Sequence, residues 1–432
     1  MAETPPAPPP GRVFAGLIFL LLSLPSVISI GINYGTLSDE LAPPSQVAAF
    51  LKSRTTIDRV KIFDCNPDML RAFAGSGISV LVTAPNGDIS TLSHLPGARD
   101  WVASHIAPFY PATNISLIAV GNEIMAFPNS SLVAELVPAM RSLSAALSEA
   151  GFSHIRVSTP HALGILAVSW PPSAGRFYSG HDQEVFAPML KFHRESNSPF
   201  LVNPYPYFGY TDDTLDYALF RPNAGVYDPV TKINYTNMFD AQMDAVFSAM
   251  NRLGYGDVDI AIGETGWPTA AEPGQAGVGP SFAATYVGNL MKHVSSGKGT
   301  PLMPNRRFDT YIFSLFNENL KPGPIAERNW GLFRPDFSPV YDVGILHGRS
   351  KSGRTPLPPL DSSTTIHLGS RAPPPPQNSS AARAFGPSPK SGDNVDESSP
   401  TPSSGASLNS PFSCLLFLFS LIHVRYYVNL IL

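Results

Sequence analysis

Residues 116–123 read Ser-Leu-Ile-Ala-Val-Gly-Asn-Glu, a short apolar run that passes through a glycine into a polar pair. A helical segment follows over Ser131–Ala150, where leucines and a methionine recur at spacings of three and four. A strand followed by an amphipathic crossover helix is the unit from which parallel sheets are built. Pro138 lies within this segment, and we expect it to bend or restart the helix.

The same alternation recurs along the chain and predicts eight strand–helix units. The predicted strands are Ile30–Tyr34, Arg59–Phe63, Ser79–Ala84, Ser116–Val120, Ile155–Ser158, Phe200–Asn203, Asp259–Gly263 and Thr310–Leu315. The predicted helices are Ser45–Leu51, Pro67–Phe73, Ala98–Ile106, Ser131–Ala150, Asn237–Leu253 and Ser281–His293. Eight such units predict an α/β fold, a (β/α)8 TIM barrel in which residues 30–348 form a single catalytic domain.

The composition favours a large core and a neutral partner. Of the 432 residues, 43% are hydrophobic and 14% are charged, and the formal net charge is -4. So mild a charge gives no reason to expect nucleic acid as a partner. The two cysteines, Cys65 and Cys414, are too few for a zinc or iron–sulfur ligand set. We expect no metal or organic cofactor. Cys65 is expected to be a lone buried thiol.

Unusual polar residues fall at the predicted carboxyl ends of the strands, where barrel enzymes carry their active sites. Asn122 and Glu123 follow the fourth strand, and Glu264 follows the seventh. Two carboxyl groups are the simplest means of cleaving a glycosidic bond. Two facing glutamates can keep one of them protonated, because each disfavours ionisation of the other. A surface or capping role is the alternative for either glutamate, but Trp267 beside Glu264 offers a flat face of the kind that stacks on a pyranose.

Six motifs, in order, resemble those of the plant β-1,3-glucanases, glycoside hydrolase family 17. They are GINYG at 31–35, VGNE at 120–123, NPYPYF at 203–208, GETGWP at 263–268, FNENLKPGP at 316–324 and ERNWGLF at 327–333. The resemblance runs from Gly31 to about Leu346 and so covers the whole predicted barrel. Each motif alone is moderately specific, whereas all six at matching intervals are very specific.

The resemblance implies a retaining endo-hydrolase that acts on β-1,3-glucan. It implies that Glu123 is the acid/base and Glu264 the nucleophile. It also implies that Asn122 binds the 2-hydroxyl of the reacting sugar and that Tyr34 and Tyr205 line the cleft near the nucleophile. We expect the protein to be a monomer.

Further substrate contacts are expected from Asn203, which ends the sixth strand, and from Trp267. Glu318, Lys321 and Glu327 match a charged group beside the site in the family. A salt-bridge network at the barrel rim is the alternative role for these three residues.

The sequence departs from the family around the second strand. Family members more often have Arg, Tyr and Ala at the positions of Lys61, Phe63 and Cys65. We expect these changes to affect a contact at the rim and to leave the catalysis intact. Because the sequence has two cysteines in all, we expect no cysteine-rich carbohydrate-binding module after the barrel.

Both ends of the chain resemble targeting signals. Residues 1–29 contain an apolar run over 13–22 and predict a secretory signal peptide, with a retained membrane helix as the alternative. Residues 349–411 are rich in Pro, Ser and Gly and predict a disordered stalk. Small residues at 403–406, a polar spacer and an apolar tail within 412–432 predict a GPI-anchor signal, with a membrane helix as the alternative.

These signals predict an extracellular protein that is anchored by lipid to the outer face of the plasma membrane, next to the cell wall. Four N-x-S/T sequons support secretion, and they begin at Asn114, Asn129, Asn234 and Asn378.

Two other functions stay open. A transglucosylase would pass the same glycosyl-enzyme to a sugar acceptor in place of water. A glucan-binding surface protein would bind without turnover, although the presence of both glutamates weighs against it.

Overall fold

The structure is a computed structural model that describes residues 30–126 and 130–347. Nine parallel strands form its central sheet: β1 Gly31–Tyr34, β2 Arg59–Ile62, β3 Ser79–Ala84, β4 Asn114–Val120, β5 Arg156–Ser158, β6 Pro160–Ala162, β7 Phe200–Asn203, β8 Ile260–Thr265 and β9 Thr310–Ile312. Their order is β5-β4-β3-β2-β1-β9-β8-β7-β6. The two edge strands, β5 and β6, are consecutive in the chain and flank the single residue Thr159, so the sheet closes almost completely. The predicted (β/α)8 barrel is confirmed, and its fifth strand is broken into two segments.

The predicted strands match the observed ones to within a few residues. The largest differences lie at the carboxyl ends. The strand predicted at Thr310–Leu315 is observed as β9 and ends earlier than expected, at Ile312. The strand predicted at Asp259–Gly263 is observed as β8 and continues to Thr265. Glu264 therefore lies inside β8 rather than after it, at an irregularity in the pairing of β8 with β9 between Ile262 and Thr265.

Helices cover the outside of the sheet. They are α1 Pro44–Arg54, α2 Pro67–Ala72, α3 Ile89–Leu92, α4 Leu95–His105, α5 Ser130–Glu149, α6 Ala187–Ser196, α7 Leu215–Ala218, α8 Met238–Arg252 and α9 Pro280–Ser295. All six predicted helices are confirmed, whereas α3, α6 and α7 are not among the predicted ones, and α3 and α7 are only four residues long. Among the described residues, none of the helices is both long enough and apolar enough to cross a membrane.

Helix α5 continues through Pro138, so the expected restart is wrong. Pro138 is exposed, whereas Leu136, Met140 and Leu143 are fully buried. Water can satisfy the carbonyl that loses its donor at the proline, and packing on the opposite face holds the helix together.

Smaller elements occupy the loops. Three antiparallel hairpins pair Leu166–Val168 with Arg176–Phe177, Val226–Asp228 with Ile233–Tyr235, and Gly299–Thr300 with Met303–Pro304. Single helical turns cover Asn86–Asp88, Ile124–Ala126, Leu163–Ile165, Pro172–Ala174, Asp182–Phe186, Pro206–Phe208, Asp212–Thr214 and Ile325–Arg328.

The barrel interior has its own small apolar core, separate from the larger one between strands and helices. Its members are Leu81, Leu117, Ala119, Leu201, Ala261 and Tyr311. Two polar side chains, Asn33 and Lys61, are also fully buried. Asn33 Nδ2 donates to the carbonyls of Gly263 (3.1 Å) and Ile312 (3.2 Å), and so ties β1 to β8 and β9. This contact fixes β8 at the residue before Glu264.

Candidate active site

Glu123 lies in a tight turn at the end of β4. Its φ of 53° is in the left-handed region, which is uncommon for a residue with a side chain. Such backbone conformations persist where the surroundings hold them, and they cluster at functional sites. Here the Glu123 N–H donates to the Pro160 carbonyl (3.1 Å), and the Asn122 N–H donates to Asn86 Oδ1 (2.8 Å). The turn is thus held from β6 on one side and from the loop after β3 on the other.

The Glu123 carboxyl group is placed to carry a proton. The pKa of Glu123 is raised to about 7, mainly because the carboxyl group is buried in the barrel mouth and secondly because Glu264 carries a negative charge nearby. A hydrogen bond from Asn203 Nδ2 to Glu123 Oε1 (2.8 Å) and the charge of Lys61 act in the opposite direction. Glu327 contributes a further negative charge that raises this pKa.

The Glu264 carboxyl group has partners suited to a carboxylate. It is buried, and Lys61 Nζ lies 2.5 Å from Oε1 while the Tyr205 hydroxyl donates to Oε2 at 3.0 Å. One cation and one hydroxyl therefore hold the two oxygens. Gly263, one residue earlier, leaves room for Asn203, because a Cβ there would lie 2.7 Å from Asn203 Oδ1.

The expectation that Lys61 belongs to a rim contact is wrong. Lys61 is fully buried, and its register partner on β3 is Leu81, a member of the interior core. Register partners in a sheet point to the same face, so the Lys61 side chain extends inside the barrel towards Glu264. A signal was present in the sequence, because Lys61 stands between the apolar Val60 and Ile62, and a lysine that faces inward needs a carboxylate partner.

Trp267 does not offer a stacking face to a sugar, and that expectation is wrong. The side chain is fully buried, and its Nε1 donates to the Gly277 carbonyl at 2.9 Å. Its ring packs against those of Tyr207, Tyr210 and Tyr286. Trp267 instead supports the loop after β8, because indole rings seek burial with a partner for their N–H.

Glu318, Lys321 and Glu327 form a chain of charges in the loop after β9. Lys321 Nζ lies 3.6 Å from Glu318 and 3.9 Å from Glu327. Glu318 Oε1 also accepts the Leu37 N–H at 2.9 Å, and its carboxylate would clash with a Cβ at Gly35. These contacts join the loops after β1 and β9, as expected for the salt-bridge alternative.

Glu327 lies at the end of this chain that is nearer to the glutamate pair. Burial raises its pKa, Lys321 lowers it, and the negative charges of Glu264 and Glu318 raise it again. Glu327 is thus a third carboxyl group within the electrostatic reach of Glu264.

The remaining predicted residues take different positions. Tyr34 is buried, and its ring meets the edge of Phe316. Tyr205 contacts Glu264, and Asn203 contacts Glu123, as described above. Asn122 is half-buried, and no partner for its Oδ1 is found among the described residues.

The predicted modification sites are only partly covered by the described residues. Asn114, which begins β4, and Asn234, in the hairpin of Ile233–Tyr235, are both exposed. Asn129 and Asn378 lie outside the described residues, as do the predicted signal peptide, stalk and anchor signal. Cys65 is buried and forms no disulfide within the part of the chain that the structure describes.

Two residues that support the glutamates, Lys61 directly and Asn86 through the neighbouring Asn122, are not among the predicted site residues. Lys61 reaches Glu264, and Asn86 holds the turn that carries Glu123. Asn86 follows β3 after Pro85, and this position at the carboxyl end of a strand is the sequence feature that indicates a place near the site.

Comparison with known proteins identifies relatives over the whole barrel. The family model described as Glycosyl hydrolases family 17 matches residues 30–345. A glucan endo-1,3-beta-glucosidase of Triticum aestivum is 55% identical over 334 residues, covering 76% of this chain and 72% of the relative. Glucan endo-1,3-beta-glucosidase 7 of Arabidopsis thaliana is 44% identical over 340 residues, covering 77% and 67%.

A solved structure agrees with the fold. The chain is similar to CJP38, described as a beta-1,3-glucanase and allergen of Cryptomeria japonica pollen, with a TM-score of 0.69 and 43% identity. The match covers 73% of this chain and 99% of the other.

Proposed function

The chain belongs to glycosyl hydrolases family 17, and from this we propose that it is a retaining endo-hydrolase of β-1,3-glucan. It is a glycoside hydrolase, and its relatives at 44–55% identity are named glucan endo-1,3-beta-glucosidases. In the proposed mechanism Glu264 attacks the anomeric carbon, and Glu123 protonates the leaving oxygen. Glu123 then deprotonates the water that releases the sugar.

One observation carries this assignment of roles: the two glutamates have opposite surroundings. Glu264 is held by an ammonium group and a phenol hydroxyl, which stabilise negative charge. Glu123 has a raised pKa and an amide N–H as its hydrogen-bonding partner among the described side chains. Environments that separate two carboxyl groups in this way support an acid at one position and a nucleophile at the other.

The experiment that tests the proposal is incubation of the protein with laminarin, followed by sizing of the products over time. An endo-hydrolase gives early products of intermediate length, and the reducing ends rise with them. NMR during the first minutes should show the β-anomer at the new reducing end, because retention conserves the configuration. A Glu264→Gln variant should release no reducing ends under the same conditions.

The alternatives give different outcomes in the same experiment. A transglucosylase gives products longer than the starting glucan, with few new reducing ends. A glucan-binding protein leaves the size distribution unchanged. An initial α-anomer would overturn the retaining mechanism while leaving hydrolysis in place.

We propose further that the enzyme acts outside the cell, held on the plasma membrane by a GPI anchor, with callose as its substrate. The apolar run at 13–22 and the small-residue, spacer and apolar-tail order at the other end support the location. The exposure of Asn114 and Asn234, both in sequons, is compatible with passage through the secretory pathway.

A further inference from the structure

Lys61 is a buried cation in contact with a buried carboxylate. Its side chain is fully buried on β2, and Nζ lies 2.5 Å from Glu264 Oε1 and 4.3 Å from the centre of the Phe63 ring. Removing an ammonium group from water is unfavourable, and replacing a whole buried ion pair by apolar side chains of similar size is often neutral for stability. A structural role alone therefore gives little reason to keep a lysine here.

We propose that Lys61 is a positioning residue that serves both steps of the reaction: it orients the Glu264 carboxylate for attack, and it helps Glu123 to change from acid to base. This inference rests on the proposed function. For the first step, Lys61 and Tyr205 hold one oxygen of Glu264 each, so rotation of the carboxylate is restricted before the substrate binds.

The second role follows from the charges in the site. In the first step a bond forms between Glu264 and the anomeric carbon, the glycosidic bond breaks, and the Glu123 proton moves to the leaving oxygen. Glu264 is then a neutral ester, and the negative charge that raised the Glu123 pKa is gone. The positive charge of Lys61, which lowers that pKa, remains. The ionised form of Glu123 is thereby favoured over the protonated form. As a carboxylate, Glu123 takes a proton from water, and the water oxygen displaces Glu264 from the anomeric carbon.

The groups that face Glu123 come from four elements. Glu264 on β8 and Glu327 in the loop after β9 raise its pKa, and Asn203 on β7 and Lys61 on β2 lower it. Loss of Lys61 should therefore raise the Glu123 pKa in the free enzyme. The alkaline limb of kcat/KM, where the proton donor is lost, should move to higher pH.

The test compares Lys61→Met with Lys61→Arg and with Arg59→Met as a control. Arg59 lies on the same strand and pairs with Asp309, away from the glutamates. With laminarin, Lys61→Met should lose about 100-fold in kcat/KM, a loss similar to that caused by removing one preorganised hydrogen-bond donor from an active site. The alkaline limb of its kcat/KM profile should move to higher pH. Lys61→Arg keeps the charge and should leave the limb in place, with a loss below about 10-fold. Arg59→Met should alter thermal stability without moving the limb.

A second readout does not depend on turnover. Lys61→Met leaves a buried carboxylate without its cation, so its Tm should fall, whereas the same change in a Glu264→Gln background should have a smaller effect. Near wild-type rates for Lys61→Met, or an unmoved alkaline limb, would overturn the inference. Absence of laminarin cleavage by the wild type would instead overturn the proposed function.

Discussion

At the scale of single residues, identical side chains differ through their neighbours. Glu123 and Glu264 have the same chemistry in water, and the structure gives one an amide N–H and the other an ammonium group and a phenol. Differences of this kind decide which carboxyl group carries a proton at working pH.

The roles of the two glutamates predict opposite products with azide. With Glu123→Gln, an activated aryl glycoside should still form the glycosyl-enzyme, because a good leaving group needs no proton. Azide, which needs no general base, should then release a β-glycosyl azide. With Glu264→Gly, direct attack by azide should give the α-glycosyl azide. Product NMR distinguishes the two, and reversed products would exchange the assigned roles. The retaining mechanism also predicts carboxyl groups about 5–5.5 Å apart.

Asn203 provides a prediction about pH. Its hydrogen bond lowers the pKa of Glu123, so Asn203→Ala should raise that pKa further. Because Glu123 must be protonated to act as an acid, activity falls as pH rises through this pKa. The alkaline limb of kcat/KM should thus move to higher pH while the maximal rate falls. A limb that moves to lower pH would show that Asn203 stabilises the protonated form.

At the scale of elements, the turn after β4 depends on the turn at Asn86–Asp88. Asn86→Ala removes the acceptor for the Asn122 N–H and loosens the strained turn that positions Glu123. General acid catalysis is worth about 10²–10⁴-fold, so a misplaced donor should lower the rate on laminarin by roughly 10-fold or more.

The same variant should lose little with an activated aryl glycoside, because the leaving group there needs no proton. Asp88→Asn is the matched control, since Asp88 lies in the same turn but accepts from Trp101 Nε1. Equal losses on both substrates would mean that Asn86 acts on something other than the proton donor.

The elements themselves could be predicted from the sequence, whereas the contacts between them could not. Short apolar runs predicted all of the strands except β6, and apolar residues at helical spacing predicted most helices, because burial is imposed locally on the chain. The family motifs located Glu123 and Glu264. The partner of Lys61 is 203 residues away, and the burial of Trp267 depends on Tyr207, Tyr210 and Tyr286. Such relations arise from barrel closure and have no local signature.

At the scale of the whole molecule, catalysis is expected to reside in residues 30–348. The segment 349–411 has little core-forming pattern. A chain that ends at Gly348 should therefore fold and keep the kcat of the full chain on laminarin. Differential scanning calorimetry of the two forms provides the check. A Tm that is many degrees lower for the shortened form would show that part of the segment packs on the barrel.

The proposed anchor predicts how the full chain is released from cells. A phospholipase specific for GPI anchors should free the enzyme from intact cells into the medium. Immunoblotting of both fractions, with a known GPI-anchored protein as the control, measures the release. Retention on the membrane after release of the control would favour a membrane helix at residues 412–432.

The break at Thr159 gives the barrel a seam. Strand β5 pairs with β4 and strand β6 pairs with β7, so cutting the chain between them interrupts no ladder of hydrogen bonds. The two resulting pieces would each carry one of the proposed catalytic glutamates: Glu123 on the first and Glu264 on the second. Lys61 would have to reach Glu264 across the division, and Asn203 would have to reach Glu123 from the other side. The seam therefore makes this protein a natural candidate for a split enzyme, in which each fragment is silent by itself and activity reports their reassembly.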